Sequence, residues 1–424
     1  MMATIPNVDG ELPAYSQHVN ARADPQVAHS FQLMKGEHPF LVVVLNSGAG
    51  SVRVGSESVP VLSQRQTLAG TVTLNLLEGM RIRSVTVLVI GELKKGYTVH
   101  RFLSMRRELY TVETGGDVTS PSTEAPGTSV RRKAWLTGHQ LWQYSLKLPK
   151  GVSILCDGGP KSFRLPPTFV DRLGNFSIEY CLQVRIKTGF FNSDHKLICP
   201  FHYVPVLRPR LPSLLRQITQ SEWAVASCPE DDPDGWKALP GVDITGVLFS
   251  SRRVQLTCEL FVPLPLYYTR GAAVPIHLVI SSKDDQTLDL LSSPHAPRVV
   301  FTRTMSFTPW QGSYAMGRNV NEPSETHTEQ MASAGFTLIP GGGEERRVLR
   351  GQLVVPGHLV PEFRILNYTL EYSIAIYPFE VVGFSPSAPS RKPILQQTVQ
   401  IATTHAIAPS LDPTQAPPTY TPTS

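Results

Sequence analysis

The sequence has few charged residues and no paired cysteines. Charged side chains make up 17% of the 424 residues, against 37 prolines and 31 glycines, a balance that favours many turns and strands over long helices. The five cysteines are widely spaced and form no Cys-x-x-Cys pair, so neither a zinc site nor a disulfide framework is indicated. We therefore expect reduced thiols, no metal site and no cofactor.

Long apolar runs are absent as well. No stretch approaches the roughly 20 apolar residues that cross a bilayer as a helix. The first residues include Asn7, Asp9 and Glu11 and lack the basic and then apolar order of a signal peptide. These absences predict a soluble, cytoplasmic protein, any membrane role of which is peripheral.

The basic residues are dispersed. Net charge is +5 at pH 7, and the short basic clusters are not interleaved with aromatic residues, which argues against a nucleic-acid partner. Two interpretations of the clusters stay open, namely solvated surface charge and contact with anionic membrane surfaces or acidic protein tails. The clusters are Arg106-Arg107, Arg131-Arg132-Lys133, Arg252-Arg253 and Arg346-Arg347.

Catalytic signatures are missing too. In Gly48-Ala49-Gly50-Ser51-Val52-Arg53, the third glycine of a dinucleotide loop is replaced by Arg53, and an alternating segment follows where a helix should begin. Gly341-Gly342-Gly343 lacks the Lys-Ser/Thr of a phosphate-binding loop, and no Gly-x-Ser-x-Gly elbow occurs. We predict that the protein is not an enzyme, with a triad assembled from distant residues as the alternative.

What the chain does contain is strand-like alternation of apolar residues. We predict antiparallel strands joined by turns, including a turn at Glu78-Gly79 and polar loops at Asp289–Pro297 and Gly312–Gly343. The predicted strands are Phe40–Leu45, Val52–Val61, Leu68–Leu76, Ile82–Leu93, Trp142–Leu148, Phe176–Ile186, Val242–Phe249, Val254–Phe261, Val274–Ser281, Arg298–Thr304, Arg347–Val355, Asn367–Ala375 and Leu395–Ile401.

One strand occurs twice. Phe176–Val184 reads FSIEYCLQV and Tyr368–Ile376 reads YTLEYSIAI, which share aromatic, hydroxyl, aliphatic, Glu and Tyr positions in the same order. The preceding segments Leu165–Phe169 and Leu359–Phe363 also agree. The two copies of the strand start 192 residues apart (368 − 176). A separation of this length indicates two copies of one domain and not a solenoid, whose repeats are about 20–50 residues long. Chance likeness between generic strands is the alternative.

The repeat divides the chain into an all-β pair of consecutive antiparallel β-sandwiches with disordered termini. We predict a flexible arm over 1–28, a first sandwich over 29–210, a linker over 211–240, a second sandwich over 241–402 and a disordered tail over 403–424. A short helix is expected at Ser213–Val225, within the linker, and a mobile insertion at Gly115–Ser129.

The tail ends with Pro417-Pro418-Thr419-Tyr420, a Pro-Pro-x-Tyr motif. The prolines favour polyproline II, whose three residues per turn put Pro417 and Tyr420 on the same side. WW domains bind such a ridge in an aromatic groove. Leu12-Pro13-Ala14-Tyr15 is a weaker second copy that keeps one proline and the tyrosine. The alternative for both is a solvated Pro-rich terminus that matches the motif by chance.

Together, two sandwiches, a Pro-rich hinge at Leu207–Pro212 and the terminal motif resemble the α-arrestins. Leu68–Leu74 through Val85–Glu92 is similar to the family's N-domain strand pair, and Arg270-Gly271 with Pro275–Ile280 is similar to its C-domain strand entry. The resemblance covers roughly residues 30–402. It implies an immunoglobulin-like, arrestin-type fold and a non-catalytic adaptor for protein transport. The same resemblance implies peripheral recruitment to the plasma membrane or to endosomes.

By this resemblance, Pro417, Pro418 and Tyr420 recruit a HECT-type ubiquitin ligase through its WW domains. The body then engages the cytosolic tails of membrane transporters or receptors, which promotes their ubiquitination and endocytosis. Many α-arrestins have two or more full motifs, whereas this chain has one and a degraded copy. Two alternatives are an arrestin-fold scaffold that acts without a ligase, and a sandwich that binds small molecules or carbohydrate through tryptophans such as Trp135, Trp142 and Trp310.

Overall fold

Alternating apolar side chains form strands along most of the chain, and their buried faces form the core. The computed structural model describes residues 27–48, 51–54, 57–64, 66–112, 135–156, 159–171, 175–188, 194–221, 228–308, 324–340, 343–389 and 391–406. The protein is nearly all β, with 68% strand and 4% helix, in curled antiparallel sheets. The predicted all-β sandwich fold is confirmed.

The first half contains twelve strands within the described residues. The first part of β5 pairs with β2 and β7 in one layer, and its second part pairs with β6 and β11 in the other. The strands are β1 (Val27–Lys35), β2 (His38–Ser47), β3 (Ser51–Val54), β4 (Glu57–Ser63), β5 (Thr67–Lys95), β6 (Thr98–Thr111), β7 (Trp135–Lys147), β8 (Gly151–Cys156), β9 (Gly159–Arg164), β10 (Phe169–Asp171), β11 (Phe176–Thr188) and β12 (His195–Val204).

The predicted turn at Glu78-Gly79 is wrong. Strand β5 continues through these residues, and its pairing with β7 shifts register between Leu76 and Met80. Such a bulge bends a strand without reversing it. A single strand therefore serves both layers of the sandwich.

The second half repeats this arrangement. Strands β14, β15, β17 and β21 form one layer, and β16, β25, β23, β18 and β19 form the other. The strands are β13 (Trp236–Ala238), β14 (Val242–Leu248), β15 (Arg252–Pro263), β16 (Tyr267–Thr269), β17 (Ala273–Ser281), β18 (Arg298–Phe307), β19 (Glu325–Ser333), β20 (Gly335–Ile339), β21 (Arg346–Val354), β22 (Phe363–Ile365), β23 (Tyr368–Tyr377), β24 (Phe384–Pro386) and β25 (Leu395–Ala402).

Helices lie only between strands in the described part of the chain. Helix α1 (Leu214–Ser221) falls within the predicted helix Ser213–Val225, and a short 3-10 turn, Pro233–Gly235, precedes β13. Helix α2 (Asp285–Leu291) joins β17 to β18, where the first half has the bend of β5. Asp284 caps α2 by accepting a hydrogen bond from the Thr287 N–H.

Three further predictions need correction. The single strand Val52–Val61 is instead the hairpin of β3 and β4, in which Val52 pairs with Val59. The polar loop Gly312–Gly343 contains β19 and β20, and the loop Asp289–Pro297 begins within α2. Strand β1 begins within the predicted arm 1–28 and β13 lies within the predicted linker 211–240, and the domain bounds stay predictions.

The repeated strand lies in matching surroundings in both halves. The Tyr180 hydroxyl donates to the Pro166 carbonyl at 2.5 Å, and the Tyr372 hydroxyl donates to the Val360 carbonyl at 2.8 Å. In the register, Phe169 faces Ile178 as Phe363 faces Leu370. Each copy therefore closes the same corner with a buried tyrosine, a device known from other β-sandwiches.

The two halves touch through corresponding residues. Phe176 stacks on Tyr368, the residue at the same position of the second copy, with 4.5 Å between ring centroids. Phe169 and its counterpart Phe363 meet edge to face at 5.5 Å. Contacts between equivalent residues are typical of a two-fold axis. The halves are thus related by a pseudo-two-fold whose axis passes between these rings.

Candidate functional site: the cleft between the two halves

The site residues predicted from sequence lie outside the described residues. Pro417, Pro418 and Tyr420 follow the last described residue, 406, and Leu12, Pro13 and Tyr15 precede the first, 27. Their proposed role in WW-domain binding stays a prediction. The structure instead presents a candidate site that sequence reasoning missed.

That candidate is a cleft of about 1220 Å³ at the junction of the two halves. One wall is the outer face of the second half, from Glu362 and Arg364 to Glu371 and Gln400, and the other is the β8–β9 hairpin with Lys161 and Arg164. The volume exceeds the range of about 300–1,000 Å³ typical of small-molecule sites. A cleft of this size suits an extended segment of a partner protein.

The β8–β9 hairpin is present in the first half only, so the two sides of the pseudo-two-fold axis differ. Strands β8 and β9 stand between β7 and β10 in the first half. The corresponding connection in the second half, residues 355–362, contains no strand. The equivalent face of the first half, with Ser177 and Glu179, therefore has no matching hairpin from the second half over it. The cleft is therefore formed on only one of these two equivalent faces of the described chain.

The cleft contains charged side chains that form no ion pair within the described residues. On the equivalent face of the first half, Lys94 neutralises Glu179 at 2.5 Å. Ser306 occupies the position of Lys94 in the second half, and Glu371 has no ion pair within the described ranges. The basic residues of the cleft are also outside the ion pairs of the described chain; they are Lys150, Lys161, Arg164 and Arg364. These side chains are available to a charged ligand.

Glu362 is the half-buried carboxylate of the cleft. Its Oε2 accepts a hydrogen bond from the Ile401 N–H at 2.9 Å, in the place where Thr168 of the first half accepts from the Tyr203 N–H at 2.8 Å. Burial raises the pKa of Glu362, and the hydrogen bond from Ile401 and the nearby Arg164 oppose this only in part. The same carboxylate adds to burial in raising the pKa of Tyr267 to about 12.

The C-terminal end of the described chain lies beside the cleft. Thr403 donates its N–H to the Leu207 carbonyl at 3.0 Å, and its hydroxyl donates to the Pro205 carbonyl at 2.9 Å. Pro205 and Leu207 both line the cleft. The described chain therefore ends next to this wall.

Other predicted binding residues do not gather at the cleft. Trp142 is buried in the first half, as expected, whereas Trp135 is 61% exposed and its ring lies against Gly79. Trp310 lies outside the described residues. The structure therefore does not bring these tryptophans together.

The described residues contain neither a metal-binding cluster nor a membrane-spanning helix. No group of three or more His, Cys, Asp and Glu side chains in the described ranges could hold a metal ion. All five cysteines are free. Across the part of the chain that the structure describes, no helix is long and apolar enough to span a bilayer.

No protein-family model matches the chain, and no curated protein matches it. The likeness to the α-arrestins therefore stays a prediction from the residues quoted above.

Proposed function

We propose that the protein is a non-catalytic adaptor. It recruits a HECT-type ubiquitin ligase through WW-domain binding of Pro417, Pro418 and Tyr420, and it engages the cytosolic tails of membrane transporters or receptors. The outcome is ubiquitination and endocytic sorting of those membrane proteins. The observation that carries the proposal is the Pro-Pro-x-Tyr motif in a sequence whose described part ends beside the cleft.

Chain geometry supports this division of labour. Roughly ten residues separate Ala406 from Pro417, so the motif stays within about 40 Å of the cleft however the tail is arranged. A ligase bound to the tail would therefore be close to a partner bound in the cleft. Tethering at short range raises the effective concentration of one for the other.

The charges of the cleft support a cargo with acidic groups. Four basic side chains and two carboxylates line the cleft, so positive charge is in excess there. Burial raises the pKa of Glu362, which favours its neutral form. A segment that carries carboxylates or phosphates would pair with Lys161, Arg164 and Arg364, and arginine is well suited to bind either group in two-pronged fashion.

The first test is a pull-down with isolated WW domains. Tyr420→Ala should abolish retention of the full-length protein on the WW domains. The aromatic groove binds a ridge of proline and tyrosine rings, and the variant lacks the tyrosine ring. Tyr97→Ala is a matched control, since Tyr97 is a fully exposed tyrosine on the body. Equal retention of Tyr420→Ala and the unaltered protein would contradict ligase recruitment by the tail.

A second experiment separates the adaptor from a scaffold that acts without a ligase. Proximity labelling in cells is compared with and without the final eight residues, and with Arg164→Glu and Arg364→Glu in the cleft. The adaptor predicts that the tail deletion loses the ligase and keeps the membrane proteins, and that the cleft variant does the reverse. Trafficking of the cargo that continues unchanged without the tail favours the scaffold.

A further inference from the structure

Two segments of the chain place arginines five and three residues before a hydroxyl side chain. They are Arg208-x-Arg210-x-x-Ser213 and Arg81-x-Arg83-x-x-Thr86, and an aliphatic residue follows each hydroxyl. Protein kinases select substrates partly by charge pattern, and two arginines at this spacing suit a kinase whose peptide groove is lined with carboxylates. The sequence does not separate the two segments, whereas the structure does.

The segment that ends at Ser213 is accessible. Residues 205–212 form neither helix nor strand, and Arg208 and Arg210 are both exposed. Leu214, directly after Ser213, is 77% exposed. The two arginines form no ion pair within the described residues, so their charges are available to a carboxylate-lined groove.

The segment that ends at Thr86 is closed. Thr86 is 5% exposed in the middle of β5, where it faces Glu108 of β6 on one side and Arg185 of β11 on the other. The backbone of such a central strand is bonded to both neighbours and cannot enter the groove of an enzyme. Thr86 is therefore an internal control with the same arginine spacing.

Ser213 connects α1 to the turn in front of β13. It caps α1, because its Oγ accepts from the Arg216 N–H at 3.3 Å and its carbonyl accepts from the Gln217 N–H at 3.0 Å. The Ser213 hydroxyl also donates to the Asp232 Oδ2. Asp232 is 6% exposed and directly precedes the 3-10 turn Pro233–Gly235. One hydroxyl proton thus joins two segments of the linker.

A phosphate on Ser213 is incompatible with this contact. It carries about −1.5 to −2 charge at pH 7 and replaces the hydroxyl that donates to Asp232. The Asp232 carboxylate is tightly enclosed, since a Cβ on Gly235 would lie 2.0 Å from its Oδ2. Negative charge at the N-terminus of a helix is favourable to the helix itself. Helix α1 therefore persists while its contact with Asp232 is lost.

We propose that Ser213 is a phosphorylation site for a basophilic protein kinase, and that the phosphate releases α1 from Asp232. In the transfer, the Ser213 Oγ bonds to the terminal phosphorus of ATP while the bond from that phosphorus to the β,γ-bridging oxygen breaks. ADP leaves, and the hydroxyl proton passes to the catalytic carboxylate of the kinase. Ser213 directly follows the hinge Leu207–Pro212, and Leu207 lines the cleft. Phosphorylation therefore acts where the hinge is attached to α1.

The first test is phosphorylation of the folded full-length protein by protein kinase B, which takes arginines at these two positions, with ATP and magnesium. Peptide mapping by mass spectrometry should find phosphate on Ser213 and not on Thr86. Synthetic peptides of residues 206–216 and 79–89 should both be phosphorylated, because neither has a fold that hides its hydroxyl.

Matched variants test the role of the arginines. Arg210→Ala should lower kcat/KM for Ser213 about tenfold, because a contact between arginine and a kinase carboxylate is lost. Arg83→Ala removes the corresponding arginine of the closed segment and should leave phosphorylation of Ser213 unchanged. Absence of phosphate from Ser213 in the folded protein, or phosphate on Thr86 to the same extent, overturns the proposal.

The second test is amide hydrogen exchange of the phosphorylated protein. Helix α1 and Asp231–Gly235 should exchange several-fold faster than in the unmodified protein, because the contact between them is lost. Asp232→Asn removes the repelling charge, so phosphorylation of that variant should accelerate exchange much less. Equal acceleration in both proteins, or none in either, contradicts release of α1 from Asp232.

This inference does not depend on recruitment of a ligase. Retention on WW domains involves the motif at Pro417–Tyr420, whereas both tests here follow Ser213 and its surroundings. Failure of the inference and failure of the proposed function are therefore seen in different experiments.

Discussion

Phe176 and Tyr368 stack with 4.5 Å between their ring centroids, and they open the two copies of the repeated strand. Each residue thus meets its own counterpart. Lys95 and Phe307, which face Phe176 and Tyr368 across their strand pairs, also meet, with the Lys95 Nζ 3.6 Å from the Phe307 ring centre. Aromatic stacking and a cation–π contact therefore hold the halves together at the pseudo-two-fold axis.

The stacked pair should be energetically coupled. Phe176→Ala and Tyr368→Ala should each lower the free energy of unfolding by about 3–5 kcal/mol, because each empties a buried site. The double variant should lose less than the sum of the two by about 0.5–1.5 kcal/mol, the usual worth of an aromatic pair. Urea denaturation of all four proteins measures this cycle. Strict additivity would mean that the rings are neighbours without mutual stabilisation.

The corner tyrosines should matter through their hydroxyl groups. Tyr180→Phe and Tyr372→Phe should each cost about 1–2 kcal/mol, because a buried carbonyl loses its donor. Tyr203 is the matched control, since its ring lies 5.4 Å from that of Tyr180 and its buried hydroxyl has no partner in the described chain. Tyr203→Phe should change the free energy of unfolding by less than about 0.5 kcal/mol, or raise it. Equal losses for all three would contradict the hydrogen-bond assignment.

Glu362 should make stability depend on pH in a definite direction. Burial raises the pKa of Glu362 in the folded state. The contribution of this group to the free energy of unfolding is therefore fully present at low pH and is lost as pH rises through the folded pKa. Glu362→Gln keeps an acceptor for Ile401 and removes the charge. We expect the variant to melt higher than the unaltered protein at pH 7, with the difference vanishing near pH 4 and below.

Glu179 provides the opposite case for comparison. Burial opposes its ionised form, but hydrogen bonds from Lys94 and Ser177 prevail, and the pKa of Glu179 is lowered. The contribution of Glu179 to the free energy of unfolding is therefore present above the ordinary glutamate pKa, and it is lost as pH falls through the folded pKa. Glu179→Gln should melt lower than the unaltered protein at pH 7 and converge with it in acid. The same sign for both variants would refute the assignment for Glu362.

Gly70 should not tolerate a side chain. A Cβ there would lie 1.8 Å from the Val44 carbonyl oxygen and 2.7 Å from the Tyr144 hydroxyl, which donates to that same carbonyl at 2.9 Å. Gly70→Ala should cost roughly 3 kcal/mol by forcing two paired strands apart. At Gly335 nothing lies within 4 Å of the added atom, so Gly335→Ala should be neutral or slightly stabilising. Thermal unfolding of the two variants measures the contrast.

Strands buried on one face could be predicted from the sequence. Alternation placed β11 and β23 within two residues of their observed bounds, because a half-buried strand has a side-chain period of two. It found only the second part of β7, whose first residues are mostly exposed. Strand β19 could not be predicted, because prediction by alternation needs a buried face. It is a sheet edge with mostly exposed residues, so no alternation marks it.

The bend of β5 could not be predicted from local signals. Glu78-Gly79 has the composition of a turn, and only pairing with β7 on both sides of the bulge shows that the chain continues forward. Long-range pairing of this kind overrides local preference in sheets.

The cleft was likewise hidden in the sequence. Its residues come from segments near 64, 150–167, 203–207, 306, 362–371 and 400, and only the contact between the halves brings them together. One signal was present. The segment Gly151–Arg164, with its Asp157-Gly158-Gly159 turn sequence, has no counterpart between the second copy's strands, and an addition to one of two repeats is a natural place for a specialised surface.

The meeting of like residues at the junction has the geometry of a homodimer carried in a single polypeptide. Two identical subunits must present identical surfaces, so neither could gain a feature without the other gaining it too. Joining them covalently removes that constraint and makes their association independent of concentration. The covalent link is what allows one copy to carry a hairpin over the cleft while the other copy lacks that hairpin.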